Sequence, residues 1–191
     1  METQLIKGEK VILRLAEAKD KRRVYAWLAQ SDVTASMMGP PDFPDTPVPT
    51  WDEFLQDYRD FYFNDSKPKL GRFFIIMAEG KDVGAVSYCV FKEPSGIAEL
   101  DIWMSSEANC GKGYGPDALR TLCRYLSQVY QFEEFIIRPS ARNKRAIRAY
   151  EKAGFALAEL TSREQEKRYG PGDYEDAVLM LKKVDLTTAG R

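Results

Sequence analysis

Apolar positions along the chain change period several times, and the changes mark its elements. Val11-Ile-Leu-Arg-Leu15 is a β-rich run that predicts a strand, and Asp20 is placed to cap a helix carrying Val24, Trp27 and Leu28 on one side. Thr50-Trp-Asp-Glu53 is a capping box. Behind it Trp51, Phe54, Leu55, Tyr58, Phe61 and Tyr62 fall on one helical face, predicting a second helix with one continuous stripe. Three strands follow, Arg72 to Ala78, Val83 to Phe91 and Ile97 to Met104, separated by turns at Gly80-Lys-Asp82 and Pro94-Ser-Gly96 that suit antiparallel hairpins. Pro116 to Val129 has a helical apolar face, Glu134 to Arg138 is a short strand, and Ala146 to Ala153 is a helix stopped by Gly154. Phe155 to Leu160 and Ala177 to Lys182 read as final strands joined by the charged connection Ser162 to Glu175. The order β-α-α-β-β-β-α-β-α-β-β predicts a strand-rich α/β chain with a mixed sheet.

Between the first two helices, Ser36 to Pro49 carries five prolines with Gly39, Asp42 and Asp45, and predicts a loop. Length and composition add one domain over residues 1–184 and a frayed tail over 185–191. The chain is 44% hydrophobic and 30% charged, in the range of soluble globular proteins. Its longest apolar run, Phe73 to Ala78, is too short to span a bilayer, and the first residues lack the apolar core of a signal peptide. A cytoplasmic protein without a membrane partner is expected. With 28 basic and 29 acidic side chains there is no global field for nucleic acid. The three cysteines, Cys89, Cys110 and Cys123, have neither the number nor the spacing of a disulfide framework or zinc knuckle, and no metal is expected.

The chain has no histidine. That removes the usual general base and the commonest transition-metal ligand, leaving carboxylates, tyrosine, backbone amides and a cofactor for any catalysis.

The most informative segment is Cys110-Gly-Lys-Gly-Tyr-Gly-Pro116, between a strand and a helix. Gly111, Gly113 and Gly115 leave backbone N–H groups able to curl around an anion where the helix dipole favours one, and Lys112 adds charge. A pyrophosphate fits; a ligand-free glycine turn is the alternative. Gly113 follows Lys112 where a P-loop has Ser or Thr, and no G-x-G-x-x-G can be read. A second block, Asn143-Lys-Arg-Ala-Ile-Arg-Ala-Tyr-Glu-Lys-Ala-Gly-Phe155, sets a phenol one helix away.

Together the two blocks resemble the GNAT superfamily of acyl-CoA-dependent N-acetyltransferases. Its motif, Arg/Gln-x-x-Gly-x-Gly/Ala, then Asn, then Tyr, is matched by Gly113 and Gly115, by Asn143, and by Tyr150 with Gly154-Phe155 behind it. The segments Asp101 to Gly111 and Pro139 to Phe155 are locally similar to aminoglycoside 6′-N-acetyltransferases, while Val11 to Asp32 looks as much like the ribosomal-protein N-terminal acetyltransferases. The resemblance implies a mixed, mostly antiparallel central sheet flanked by helices, and acetyl-CoA as donor. Cys110 departs from it, standing where the family usually has Arg or Gln; Lys112, Arg145 or Arg148 would then supply the charge.

It further implies that a backbone N–H among Trp103, Met104 and Ser105 faces the thioester carbonyl. Tyr150 would donate a proton to the thiolate; alternatively it is a core tyrosine beside Ala146 and Ile147. Asn143 would contact the pantetheine arm or merely cap its helix; Arg145, Ala146, Tyr114 and Pro116 complete the expected donor site. Glu99 and Asp101 lie two apart on one strand, hence on one face, and either is a candidate base for the amine.

The acceptor region implied by the family topology comprises the Ser36 to Pro49 loop, the second helix and Ser162 to Glu175. These offer Asp42, Asp45, Glu53, Asp57, Asp173 and Glu175 with Phe43, Trp51, Tyr58 and Tyr174, a lining suited to a polyamine or aminoglycoside. The expected activity is direct attack of a small primary amine through a tetrahedral intermediate. The alternatives are acetylation of protein N-termini and a non-catalytic acyl-CoA sensor. The chain is expected to act as a monomer or homodimer.

Overall fold

The computed structural model describes residues 5–90, 96–170 and 177–184. Its strands are β1 (Leu5–Lys7), β2 (Ile12–Leu15), β3 (Gly71–Ala78), β4 (Lys81–Cys89), β5 (Ile97–Met104), β6 (Glu134–Ile137), β7 (Ala156–Leu157) and β8 (Met180–Lys183). The α-helices are α1 (Lys21–Ala29), α2 (Trp51–Asp57), α3 (Tyr114–Tyr130), α4 (Lys144–Lys152) and α5 (Ser162–Tyr169). All eight strands form one mixed sheet in the order β1-β2-β3-β4-β5-β6-β8-β7, antiparallel except for β5 against β6. None of the described helices is long and apolar enough to cross a membrane.

β3 runs through the middle and is buried on both faces, so it reads as a continuous apolar run. Phe74 and Ile76 point to one side, where Leu119, Leu122 and Leu126 of α3 cover them. Phe73 and Ile75 point to the other, against Val24 and Leu28 of α1 and Phe54 of α2.

The feature that positions the site is where β5 and β6 part. β5 stays paired to β4 from Glu99 through Met104, but its parallel pairing with β6 covers only Ile97 to Glu99. Beyond Glu99 the sheet splits into an arm of β1–β5 and an arm of β6, β8 and β7.

Three expectations change. The second helix does not run to Tyr62: α2 ends at Asp57, Tyr58 leaves helical geometry, and a 3₁₀ turn spans Asp60–Phe63. The stripe stays in one cluster because Tyr58 packs against Phe54, Tyr62, Phe73 and Trp103, so tertiary contacts override the helical period. The connection from Ser162 contains α5, whose capping box Thr161/Glu164 and buried Gln165 and Tyr169 are an amphipathic signal hidden by its charge. The strand expected over Phe155 to Leu160 shortens to Ala156–Leu157, with an edge strand, β1, added at the far end. Pro94 and Ser95 of the expected turn, Phe91 and the tail 185–191 lie outside the described residues.

Candidate active site

The split in the sheet opens into one cleft of about 790 Å³. One end is the glycine turn leading into α3. Gly111 and Gly113 take positive φ values of 75° and 85°, and Gly113 is the N-cap of the 17-residue α3. A Cβ at Gly111 would meet nothing within 4 Å, and one at Gly115 only Ile102 Cδ1 at 3.9 Å, so the hollow above the helix N-terminus is open. Backbone amides and the α3 dipole there suit a phosphate-bearing ligand. The acid in the first turn of α3, Asp117, does not oppose one: it is buried and accepts from the Lys10 and Val11 amides at 2.7 and 3.0 Å.

Cys110, Gly111, Gly113, Tyr114, Gly115 and Pro116 all line the cleft, but Lys112 does not. Lys112 lies over the Tyr114 ring on the outer side, and its carbonyl accepts from Lys10 Nζ at 3.2 Å. Lys10 comes from the β1–β2 turn and also stands against Gly113, which places a cation at this loop that no local motif announces. The Cys110 thiol turns toward the Ser106 carbonyl, and burial raises its pKa, so it stays a neutral group.

One wall is β5. Ser105 N–H bonds across to the Val83 carbonyl on β4 at 2.8 Å. Amides alternate sides along a strand, so the Met104 N–H points into the split, while Trp103 and Ser105 turn theirs toward β4. The Trp103 ring is buried and donates to the Val24 carbonyl at 3.2 Å.

Glu99 and Asp101 share the face expected of them and both line the cleft, but they differ in their partners. Arg138 forks onto both oxygens of Glu99, at 2.7 and 2.6 Å. Asp101 is open to the cleft and accepts a 2.5 Å hydrogen bond from Tyr58. Crowding by the protein raises the Asp101 pKa, partly offset by the Tyr58 hydroxyl and the Ile102 amide. Its carboxylate remains reachable by solvent, so that penalty comes from the depth of the cleft rather than from a sealed interior.

The opposite wall is α4. Asn143 both caps this helix and lines the cleft: its Oδ1 accepts from the Ala146 amide at 3.0 Å, and its Nδ2 donates to the Ser36 carbonyl at 2.9 Å. Arg145 pairs with Glu107, and Ala146 and Tyr150 face the cleft. Tyr150 is half-buried against Ile147's cluster, and among the described residues its hydroxyl has no hydrogen-bond partner. Burial, and then the negative charge of Asp101, push its pKa well above that of an ordinary phenol.

The third wall comprises Met37, Met38, Pro47 and Pro49 with Asp57 and Tyr58. Two acids expected there are turned elsewhere. Asp45 forks onto Arg142, and Glu53 closes its capping box with Thr50. Phe43 is buried beneath Arg142, and Trp51 stacks under Arg22. Asp173, Tyr174 and Glu175 lie outside the described residues. Tyr58 was expected in the acceptor lining and does line the cleft, but neither its bond to Asp101 nor Arg138's fork onto Glu99 had a local signal.

The model of a family described as acetyltransferase (GNAT) domain matches residues 10–156. Aminoglycoside N(6′)-acetyltransferase type 1 of Klebsiella pneumoniae is 27% identical over 158 residues, 78% of this chain and 75% of that protein, and its Serratia marcescens counterpart matches equally. A solved structure of aminoglycoside acetyltransferase AAC(6′)-Ib with coenzyme A and kanamycin superposes with a TM-score of 0.68 at 21% identity, covering 92% of this chain and 96% of that one. RimL, a ribosomal alpha-N-protein acetyltransferase, superposes with a TM-score of 0.69 at 15% identity, covering 95% of each.

Proposed function

The chain belongs to the GNAT acetyltransferase family, and we propose that it transfers the acetyl group of acetyl-CoA to a primary amine of a small cationic acceptor of the aminoglycoside or polyamine kind. The observation that carries this reading is the meeting of Asp101 and Tyr150 on facing walls of one cleft, with the glycine turn at its end. The aminoglycoside acetylation named for the 27% identical relatives supports the acceptor class. Fold likeness does not choose between small amines and protein N-termini, because the two solved structures score alike.

The donor would be held by the amides of Gly111 to Gly115, with Asn143, Arg145 and Ala146 along its other side. When bound it supplies an activated acyl carbon: the amine nitrogen forms the new C–N bond, through a tetrahedral intermediate, as the C–S bond breaks. Asp101 attracts the acceptor's ammonium and takes the proton that must leave before or during attack. Glu99 is less suited to that role, since Arg138 occupies both its oxygens. The Met104 N–H, aimed into the split, is placed to donate to the oxygen on which charge develops.

Tyr150 donates to the departing sulfur. A thiol with an ordinary pKa of about 8.5 is more acidic than any phenol raised above about 10, so an isolated phenolate is uphill. The ammonium loses two protons on becoming an amide: Asp101 takes the first, and Tyr150 passes the second, released by the nitrogen of the tetrahedral intermediate, to the thiolate while recovering its own.

The test is thiol release from acetyl-CoA with purified protein and a panel of kanamycin-like aminoglycosides, spermidine and short peptides. Turnover with the first two classes is expected. Turnover with peptides alone would move the assignment to protein N-termini, and cofactor binding without turnover on any amine would overturn the enzymatic reading.

A further inference from the structure

Three residues at the start of α4 reach across the cleft and hold the proline-rich loop. Arg142 donates from Nη1 to the Asp42 carbonyl at 2.8 Å and from Nη2 to both Asp45 oxygens at 2.8 and 3.0 Å, and lies 4.8 Å over the ring of buried Phe43. Asn143 holds the Ser36 carbonyl, and Arg145 holds the Ser36 hydroxyl at 3.0 Å. Within the loop Gly39 N–H bonds to Thr46, Phe43 N–H to Gly39 and Thr46 N–H to Phe43, and at its start the Met37 and Met38 amides donate to the Thr34 carbonyl. Its tether to α1 is a 3.2 Å bond from the Tyr25 hydroxyl to the Pro49 carbonyl.

The loop thus behaves as a compact unit that follows α1 in the chain yet is fastened to α4 on the other arm. The residues it turns into the cleft are at its two ends, Ser36, Met37 and Met38 at one and Pro47 and Pro49 at the other. The points that Arg142 fastens, Asp42, Phe43 and Asp45, lie between these ends, while Ser36 is held at the first of them.

We propose that Arg142 is a positioning residue for acceptor specificity: it touches neither substrate, but by fixing Asp42, Phe43 and Asp45 to α4 it sets where the loop's apolar ends stand across from Asp101. It rests on the acetyl-transfer reading. Arg142 suits this task because a planar fork can hold a carboxylate, a carbonyl and a ring face together, which a lysine cannot. The Asp45 charge is taken up by the clamp and is not left for a polyamine.

The experiment compares Arg142→Ala, Arg142→Lys and Asp45→Asn with wild type by steady-state kinetics on whichever amine wild type acetylates. Both residues are substantially exposed, so the variants should fold. Arg142→Ala should raise the amine KM about fivefold while kcat and the acetyl-CoA KM stay within about twofold. Arg142→Lys should recover only part of the loss, and the swap Arg142→Asp with Asp45→Arg should recover more than either change alone. Hydrogen exchange gives the structural readout: the amides of Gly39, Phe43 and Thr46 should exchange faster in Arg142→Ala. An active wild type whose amine KM is unmoved by Arg142→Ala, or whose acetyl-CoA KM rises equally, overturns the proposal alone. A wild type inert toward every amine overturns the acetyl-transfer reading and takes the proposal with it.

Discussion

Asp20 and Asp101 are carboxylates in the same molecule with opposite surroundings. Asp20, 1% exposed, is forked by Arg14, bound by Arg23 and capped by the Glu17 amide. Asp82 joins the same two arginines, so two acids face two bases. Burial alone would raise the Asp20 pKa, but these donors pull it down to about 2. Asp101 makes no ion pair among the described residues; its side-chain donor is a neutral phenol, and its pKa goes up. Arg138, which lines the same cleft, forks onto Glu99 instead. Where charge is fully balanced it stabilises the fold. Where balance is withheld, the charge is left for an incoming cation to meet, which is what an acceptor site for an ammonium requires.

The largest expected effect lies in the unbalanced region. Tyr150→Phe should lower kcat by about 10²-fold or more with little change in acetyl-CoA affinity measured by titration. Unchanged turnover would remove Tyr150 from the chemistry and leave the cleft with a carboxylate but no acid. Asp20→Asn is the converse. It should cost about 2 kcal/mol, discounted for the partial exposure of Arg14 and Arg23, and lower Tm by roughly 5 °C, while kcat holds. Because the folded pKa of Asp20 lies below its ordinary value, its contribution is present above the ordinary carboxylate range and fades as pH falls through about 2. A Tm difference that persists undiminished in strong acid would contradict this.

Asp101→Asn should separate the two regions most cleanly. A raised folded pKa means that protonation favours the fold, so ionised Asp101 weighs against stability once pH passes that value. The variant should lose about tenfold or more in kcat/KM for the amine, yet melt no lower than wild type at pH 7. The rise of kcat/KM with pH should begin above the ordinary carboxylate range in wild type and be absent in the variant. A destabilised Asp101→Asn would put Asp101 in the same class as Asp20.

The same contrast explains what the sequence could reveal. The order of elements along the chain, α3 and the glycine turn rest on local or periodic signals, so Ile97 to Met104 was legible as a strand and Gly111 to Gly115 as a glycine turn leading into a helix. The divergence of β5 from β6 beyond Glu99 was not, because it depends on where two strands distant in the chain stop pairing. Neither were the charge assignments. Asp45 looks like an acceptor acid until Arg142 is found on it, and Lys10 joins the glycine turn from a hundred residues away. A charged residue's role depends on its partner, and long-range partners leave no spacing to read.

The ion pair between Arg145 and Glu107 stands between these two cases and yields the smallest expected effect. It joins α4 to the turn before the glycine loop, and the Arg145 pKa is raised chiefly by Glu107. Both side chains are substantially exposed, so the pair contributes little to stability. If Arg145 serves the donor's phosphates, Glu107 competes with them for the same guanidinium. Glu107→Gln should then lower the acetyl-CoA KM by about twofold, leave Tm within about 2 °C, and lose that advantage in high salt, where exposed charges are screened. A raised KM would instead mean that Glu107 holds Arg145 in place for the donor, so that the pair works as Arg14 and Asp20 do, by mutual compensation, rather than by leaving a charge to be met.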